Sequence, residues 1–168
     1  MEYKKKICML GASAVGKTSL VRRFVLSQYD EKYHTTVGVK VDKRPICLDG
    51  HDVTMMLWDF YGEDDFQKLR MASLNGSNGY VLVVDGTRRA TLDKALELNE
   101  RVQGGPYAAP VVLVVNKLDL AADWEITPET LEELRGRGWN PQQSSAKTGE
   151  GVEAAFLALA VIMMGKHK

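Results

Sequence analysis

Gly11-Ala12-Ser13-Ala14-Val15-Gly16-Lys17-Thr18 sets two glycines, a lysine and a hydroxyl in the spacing G-x-x-x-x-G-K-[ST]. Those residue types suit a chain of phosphates. Glycines let backbone N–H groups turn inward around phosphate oxygens, and a helix starting just after the loop adds positive potential. Lys17 supplies charge to the outer phosphates and the Thr18 hydroxyl can ligate magnesium. The expectation is a nucleotide site built from Gly11, Ser13, Ala14, Val15, Gly16, Lys17, Thr18 and Ser19.

Asn116-Lys117-Leu118-Asp119 is the second candidate. A carboxylate here can accept two parallel hydrogen bonds from the ring N–H and exocyclic amine of guanine, a donor pair that adenine lacks. On its own the tetrapeptide reads equally well as a solvated turn after a strand. Ser144-Ser145-Ala146-Lys147 is the third, and alone it is a polar loop that caps a helix.

The elements that must hold these residues follow from periodicity. Ile7 to Leu10 is a short apolar run ahead of the glycine loop, and Leu20, Val21, Phe24 and Val25 then mark one helix face. Val37, Val39 and Val41 alternate with polar or small residues. Asp49-Gly50 separates Ile46 and Leu48 from Val53, Met55 and Leu57, a β-hairpin signal. Tyr80 to Val84 and Val111 to Val115 lack polar alternation, as central strands covered on both faces do, and each run is followed by a polar residue. Leu92, Ala95, Leu96 and Val102 keep helical spacing. Thr127-Pro128 opens another helix that stops near Gly136, and a last helix runs from about Gly149 to Met164. Strands alternating with helices predict an α/β fold with a mainly parallel sheet and ligands at the strands' carboxyl ends.

Composition excludes several classes. The chain has 168 residues, 45% hydrophobic and 26% charged, which suits one compact domain over residues 1–168 rather than a disordered or fibrous chain. Lysine plus arginine and aspartate plus glutamate both total 22, so no single-sign field favours nucleic acid. The longest apolar run, Ala154 to Met164, is 11 residues, short of the roughly 18 that span a bilayer. Cys8 and Cys47 both lie in apolar runs and are expected to be small buried hydrophobes in a reducing, cytoplasmic setting.

Phosphate loop, Asp59-Phe60-Tyr61-Gly62, Asn116 to Asp119 and Ser145 to Lys147 stand in the motif order of the small GTPases. The chain resembles the Ras superfamily over about residues 5 to 165, and its Leu57-Trp58-Asp59 and Tyr33-x-x-Thr36-Val37-Gly38-Val39 segments look most like the Rab branch. That resemblance implies a P-loop GTPase domain: a six-stranded, mostly parallel sheet with one antiparallel edge strand and helices on both faces. It also implies GTP and GDP as ligands, Mg2+ as cofactor, and two loops, Lys32 to Val39 and Asp59 to Leu74, that respond to the γ-phosphate. Thr36 would complete the magnesium shell, Asp59 would hold the metal through water, and Gly62 would give its N–H to the γ-phosphate. Tyr29 would lean on the guanine edge, Lys117 would flank the base, Ser145 would brace its loop, and the Ala146 N–H would meet the guanine carbonyl beside Asn116 and Lys147. Lys17, Thr36, Gly62 and the residue after it form the implied catalytic set. Protein effectors, an activating protein and an exchange factor are the implied partners.

The sequence departs from that family at several points. Glu63 stands where a glutamine usually orients the attacking water, and a carboxylate cannot donate as an amide can. At about 6 Å and an effective dielectric near 20, its charge beside the γ-phosphate costs roughly 3 kcal/mol, so slow hydrolysis is expected. A general-base role for Glu63 is the competing reading. Ala14 adds a methyl group close to the phosphates, and His34 reads as a solvated side chain rather than a metal ligand. The chain ends Gly-Lys-His-Lys with no prenylation cysteine, so no direct lipid anchor is expected and membranes would be reached through partners. Leu157, Val161 or Met164 of the apolar last helix could remain exposed for docking or self-association. Two other functions stay open: a largely GTP-bound scaffold with negligible hydrolysis, and a P-loop ATPase or small-molecule kinase, against which Asp119 argues.

Overall fold

The structure is a computed structural model that describes residues 2–26, 38–61 and 71–165. β1 (Glu2–Gly11) leads through the glycine loop into α1 (Lys17–Leu26), and β2 (Gly38–Leu48) and β3 (His51–Tyr61) form the hairpin. After a short turn of 3-10 helix, Met71–Leu74, come β4 (Gly79–Asp85), α2 (Arg89–Gln103) and β5 (Val111–Asn116). A second 3-10 segment, Leu118–Asp123, precedes α3 (Pro128–Gly136), β6 (Gln142–Gln143) and α4 (Val152–Met163).

These strands form one six-stranded sheet in the order β2-β3-β1-β4-β5-β6. Only β2 and β3 pair antiparallel; β1 with β3, β1 with β4, β4 with β5 and β5 with β6 are all parallel. This is the expected mixed α/β sheet. The hairpin closes on Asp49 and Gly50, both at positive φ (50° and 80°), with Leu48 opposite His51. Two left-handed central residues match the right-handed twist of paired strands, which is why Asp-Gly occurs there. Pro45 is tolerated because β2 is an edge strand with one neighbour.

Two apolar layers cover the sheet. On one face Ile7, Met9, Met55, Leu57, Val81 and Val83 meet α1 and α4. On the other Cys8, Leu10, Tyr80, Leu82 and Val84 meet α2 and α3. Every residue of β4 is buried, so its apolar run lacks alternation. Phe24 of α1 stacks on Phe156 of α4 at 4.2 Å and 11°. Arg44 of β2 lays its guanidinium 4.2 Å from the centre of the Phe24 ring and pairs bidentately with Glu153 of α4, at 2.7 and 2.6 Å. That contact fastens the edge hairpin to the helical layer.

The helices follow their signals. Thr127 caps α3, its hydroxyl accepting from the Thr130 N–H at 3.2 Å, with Pro128 at the first turn. α4 starts after a left-handed Gly151, and its Leu157, Val161 and Met164 are half-buried. The exposed large apolar side chains among the described residues are instead Leu26, Val41 and Leu120.

The expectation of two buried cysteines holds for one of them. Cys8 is buried, and that burial pushes its thiol pKa up, but Cys47 is exposed. In β2 the partly buried Ile46 and Leu48 turn to the core, so the period-2 alternation puts Cys47 on the solvent side. β6 carries no apolar run at all; two glutamines pair with Val114 and Val115 because β5 leaves an open edge there.

Candidate functional site

Parallel register brings the carboxyl ends of β1, β3, β4 and β5 to one edge, where Gly11, Asp59, Asp85 and Asn116 stand. The phosphate loop leaves from Gly11. A Cβ there would lie 2.5 Å from the Val83 carbonyl oxygen, and one on Gly16 would lie 2.3 Å from Asn116 Nδ2, so both glycines are required by close approach. Ala14 takes the left-handed region at φ 62°. For a residue with a Cβ that region costs about 1 kcal/mol.

Three consecutive carbonyls of this loop are held from outside. Arg88 Nη2 donates to Ser13 O at 2.9 Å, Lys117 Nζ to Ala14 O at 3.2 Å and Asn116 Nδ2 to Val15 O at 3.0 Å. In a trans peptide the C=O and the following N–H point in opposite directions. Fixing those carbonyls outward turns the Ala14, Val15 and Gly16 amides to the inner side, as a phosphate cradle requires. Lys17 is buried and its Nζ donates to Gly11 O at 2.8 Å and Ala12 O at 3.1 Å. Ser19 follows in the first turn of α1, whose N-terminus faces the same loop.

Thr18 Oγ1 donates to Asp59 Oδ2 at 2.5 Å, and Asp59 is fully buried near the carboxyl end of β3. A hydroxyl and a carboxylate at the cradle are hard oxygen donors. They fit Mg2+, which takes one or two protein oxygens together with phosphate and water.

The residues expected to read the base converge beside the loop. Asn116 Oδ1 accepts from Ser144 Oγ and from the Ala146 N–H, both at 3.2 Å, so one buried side chain joins the loop before α4 to the phosphate loop. Ser145 Oγ donates to Asp119 Oδ1 at 2.8 Å. Lys117 is left-handed at φ 73°, which aims its side chain back at Ala14. Its carbonyl accepts from Trp124 Nε1 at 2.8 Å. Arg23 of α1 donates through Nε to Ala146 O at 2.8 Å and through Nη2 to Lys147 O, whose own side chain is exposed.

Asp85, Arg88, Arg23 and Trp124 escaped the sequence reading. Asp85 is buried, its Oδ1 accepting Thr87 N and Oγ1 at 2.9 and 2.7 Å and its Oδ2 accepting Arg88 Nε and Lys117 Nζ, both at 2.9 Å. Burial alone would raise its pKa, but the bonds from Thr87, Arg88 and Lys117 outweigh it and bring the group down from 3.8 to about 2. Its only signal was a polar residue ending an apolar strand. Tyr29, His34, Thr36, Gly62 and Glu63 lie outside the described residues, as do most of both expected switch loops.

Among the described residues no helix is long and apolar enough to cross a membrane. The chain matches the Ras family over residues 6–164. It is 30% identical to GTP-binding protein YPTM2 of Zea mays over 95% of this chain and 79% of that protein. Ras-related protein Rab-4 of Dictyostelium discoideum is 31% identical over 98% of this chain and 81% of its own. Ras-related protein SEC4 of Candida albicans is 30% identical over 96% and 78%. A match of that span and order places the chain in the Ras family, as a Rab-like, GTP-binding small GTPase.

Proposed function

We propose that this chain is one switch domain that binds GTP or GDP with magnesium and hydrolyses GTP slowly. The observation that carries this reading is the joint held by Asn116, which donates to Val15 O of the phosphate loop and accepts from Ala146 of the base-side loop. One side chain thereby sets the distance between a diphosphate cradle and a guanine-reading carboxylate. Asp119 would accept the guanine ring N–H and amine, steadied by Ser145, and the Ala146 N–H would pass from Asn116 Oδ1 to the guanine carbonyl. Lys17 would leave the Gly11 and Ala12 carbonyls for the outer phosphates, a stronger charge-assisted partner.

Thr18 and Asp59 are the residues that would hold magnesium, Asp59 through water, with Thr36 completing the shell. When bound, the metal neutralises charge on the outer phosphates. Contacts from Thr36 and Gly62 to the γ-phosphate would supply the differential free energy that switches the loops around residues 32–39 and 59–74 between two states and presents one of them to effectors, an activating protein and an exchange factor.

Glu63 favours a second reading, a module that stays largely GTP-bound. The two are separated by identifying the nucleotide that co-purifies and following its turnover over hours. GDP with measurable turnover supports the switch, whereas GTP that persists supports the module. Glu63→Gln is expected to raise the single-turnover rate; an unchanged or lower rate would mean that Glu63 aids hydrolysis.

A further inference from the structure

Arg88 lies just before α2, and it is the one member of the carbonyl clamp that belongs to neither the phosphate loop nor the Asn116–Asp119 segment. Its guanidinium spans two partners at once. Nε donates to Asp85 Oδ2 at 2.9 Å and Nη2 donates to Ser13 O at 2.9 Å. The planar fork fixes the angle between those two bonds, which a lysine ammonium cannot do. Asp85 is itself held by several bonds. Its other oxygen takes two bonds from Thr87, its N–H donates to Thr91 Oγ1 at 2.9 Å, and it is buried. Arg88 therefore ties the loop to a buried carboxylate bonded on both of its oxygens.

From this geometry we infer that Arg88 is a positioning residue for nucleotide retention, acting through the Ser13 carbonyl to aim the Ala14 N–H at the phosphates. The inference rests on the guanine-nucleotide reading above. Ala14 is left-handed without being glycine, so the Ser13–Ala14 peptide has a strained neighbour and gains most from an external clamp. Lys117 shares the same Asp85 oxygen, at 2.9 Å, and holds the next carbonyl along, so the hub sets two adjacent amides together. The Arg88 side chain is 46% exposed, which lets it be truncated without opening the core.

The test is the release rate of fluorescent GDP and of fluorescent inosine diphosphate, which lacks the exocyclic amine, at fixed excess magnesium. Arg88→Ala is expected to speed the release of both about fivefold, leaving their ratio unchanged, because the loss falls on phosphate amides and not on base reading. Arg88→Lys should fall between, keeping charge but losing the fork. Arg89→Ala is the control: it removes the same charge from the same helix end, where Arg89 bonds Thr130 instead of the loop, and should stay within twofold. A change under twofold in Arg88→Ala, an equal acceleration in Arg89→Ala, or a loss confined to GDP each overturns the inference. Failure of the unaltered protein to bind either nucleotide would overturn the guanine-nucleotide reading itself.

Discussion

The Ser145 hydroxyl donates to Asp119 Oδ1 at 2.8 Å while accepting the Thr148 N–H at 3.0 Å, so the carboxylate after β5 is oriented by the loop before α4. A carboxylate free to rotate would lose the parallel alignment that a two-donor base edge needs. Ser145→Ala is expected to accelerate GDP release about tenfold, the scale of one hydrogen bond to a charged group. Asp119→Asn should exchange specificity, losing guanosine diphosphate and gaining its xanthosine analogue. Calorimetry with both nucleotides checks this, and an undiminished grip on guanosine diphosphate would remove Asp119 from the base site.

Thr18 and Asp59 meet at 2.5 Å beneath the cradle. If these oxygens hold magnesium, excess EDTA should speed nucleotide release at least tenfold, and Thr18→Ser, which keeps the hydroxyl, should behave as the native chain. Thr18→Ala is expected to weaken the dependence on magnesium by about tenfold or more. Release rates titrated against free magnesium give the answer.

Asp85 titrates far below an ordinary carboxyl, at about 2 against 3.8. A depressed folded-state pKa contributes stability that is fully present above about pH 4 and is lost as pH falls through about 2. The difference corresponds to about 2 kcal/mol. Asp85→Asn should therefore cost at least about that much at pH 7, and the gap to the native chain should close between pH 4 and 2. Urea unfolding across that range, together with an NMR titration of the carboxyl carbon, tests both the size and the sign.

Gly86 sits under the Trp124 indole, where an added Cβ would come within 2.2 Å of the ring. The Gly86 carbonyl also accepts the Glu125 N–H at 2.9 Å, so the backbone cannot retreat without losing that bond. Gly86→Ala is expected to displace Trp124 from the Lys117 carbonyl and to destabilise the fold by about 1–3 kcal/mol. A shift in tryptophan emission with a lowered melting temperature is the expected signature. Nucleotide release should also accelerate, since Lys117 loses a support.

Phosphate-loop glycines, the Asp49-Gly50 turn, the Thr127-Pro128 cap and the buried runs of β4 and β5 were all legible in the chain itself. Each is a local constraint: a positive φ, an orphan N–H at a helix start, or a period of apolar residues reports the backbone within a few positions. The same logic failed at Cys47, whose exposure depends on which face of an edge strand the core happens to cover, and at β6, whose two glutamines carry no pattern and pair only because β5 offers an edge. It was also silent on Asp85, Arg88 and Arg23. Arg88 reaches Ser13, Lys117 reaches Ala14 and Arg23 reaches Ala146 only after parallel crossovers set β1, β4 and β5 side by side. Local sequence sets the groups and the backbone shape that each loop offers, whereas strand order decides which distant side chains hold it in that shape, because a hydrogen bond acts over about 3 Å of space whatever the length of chain between its ends.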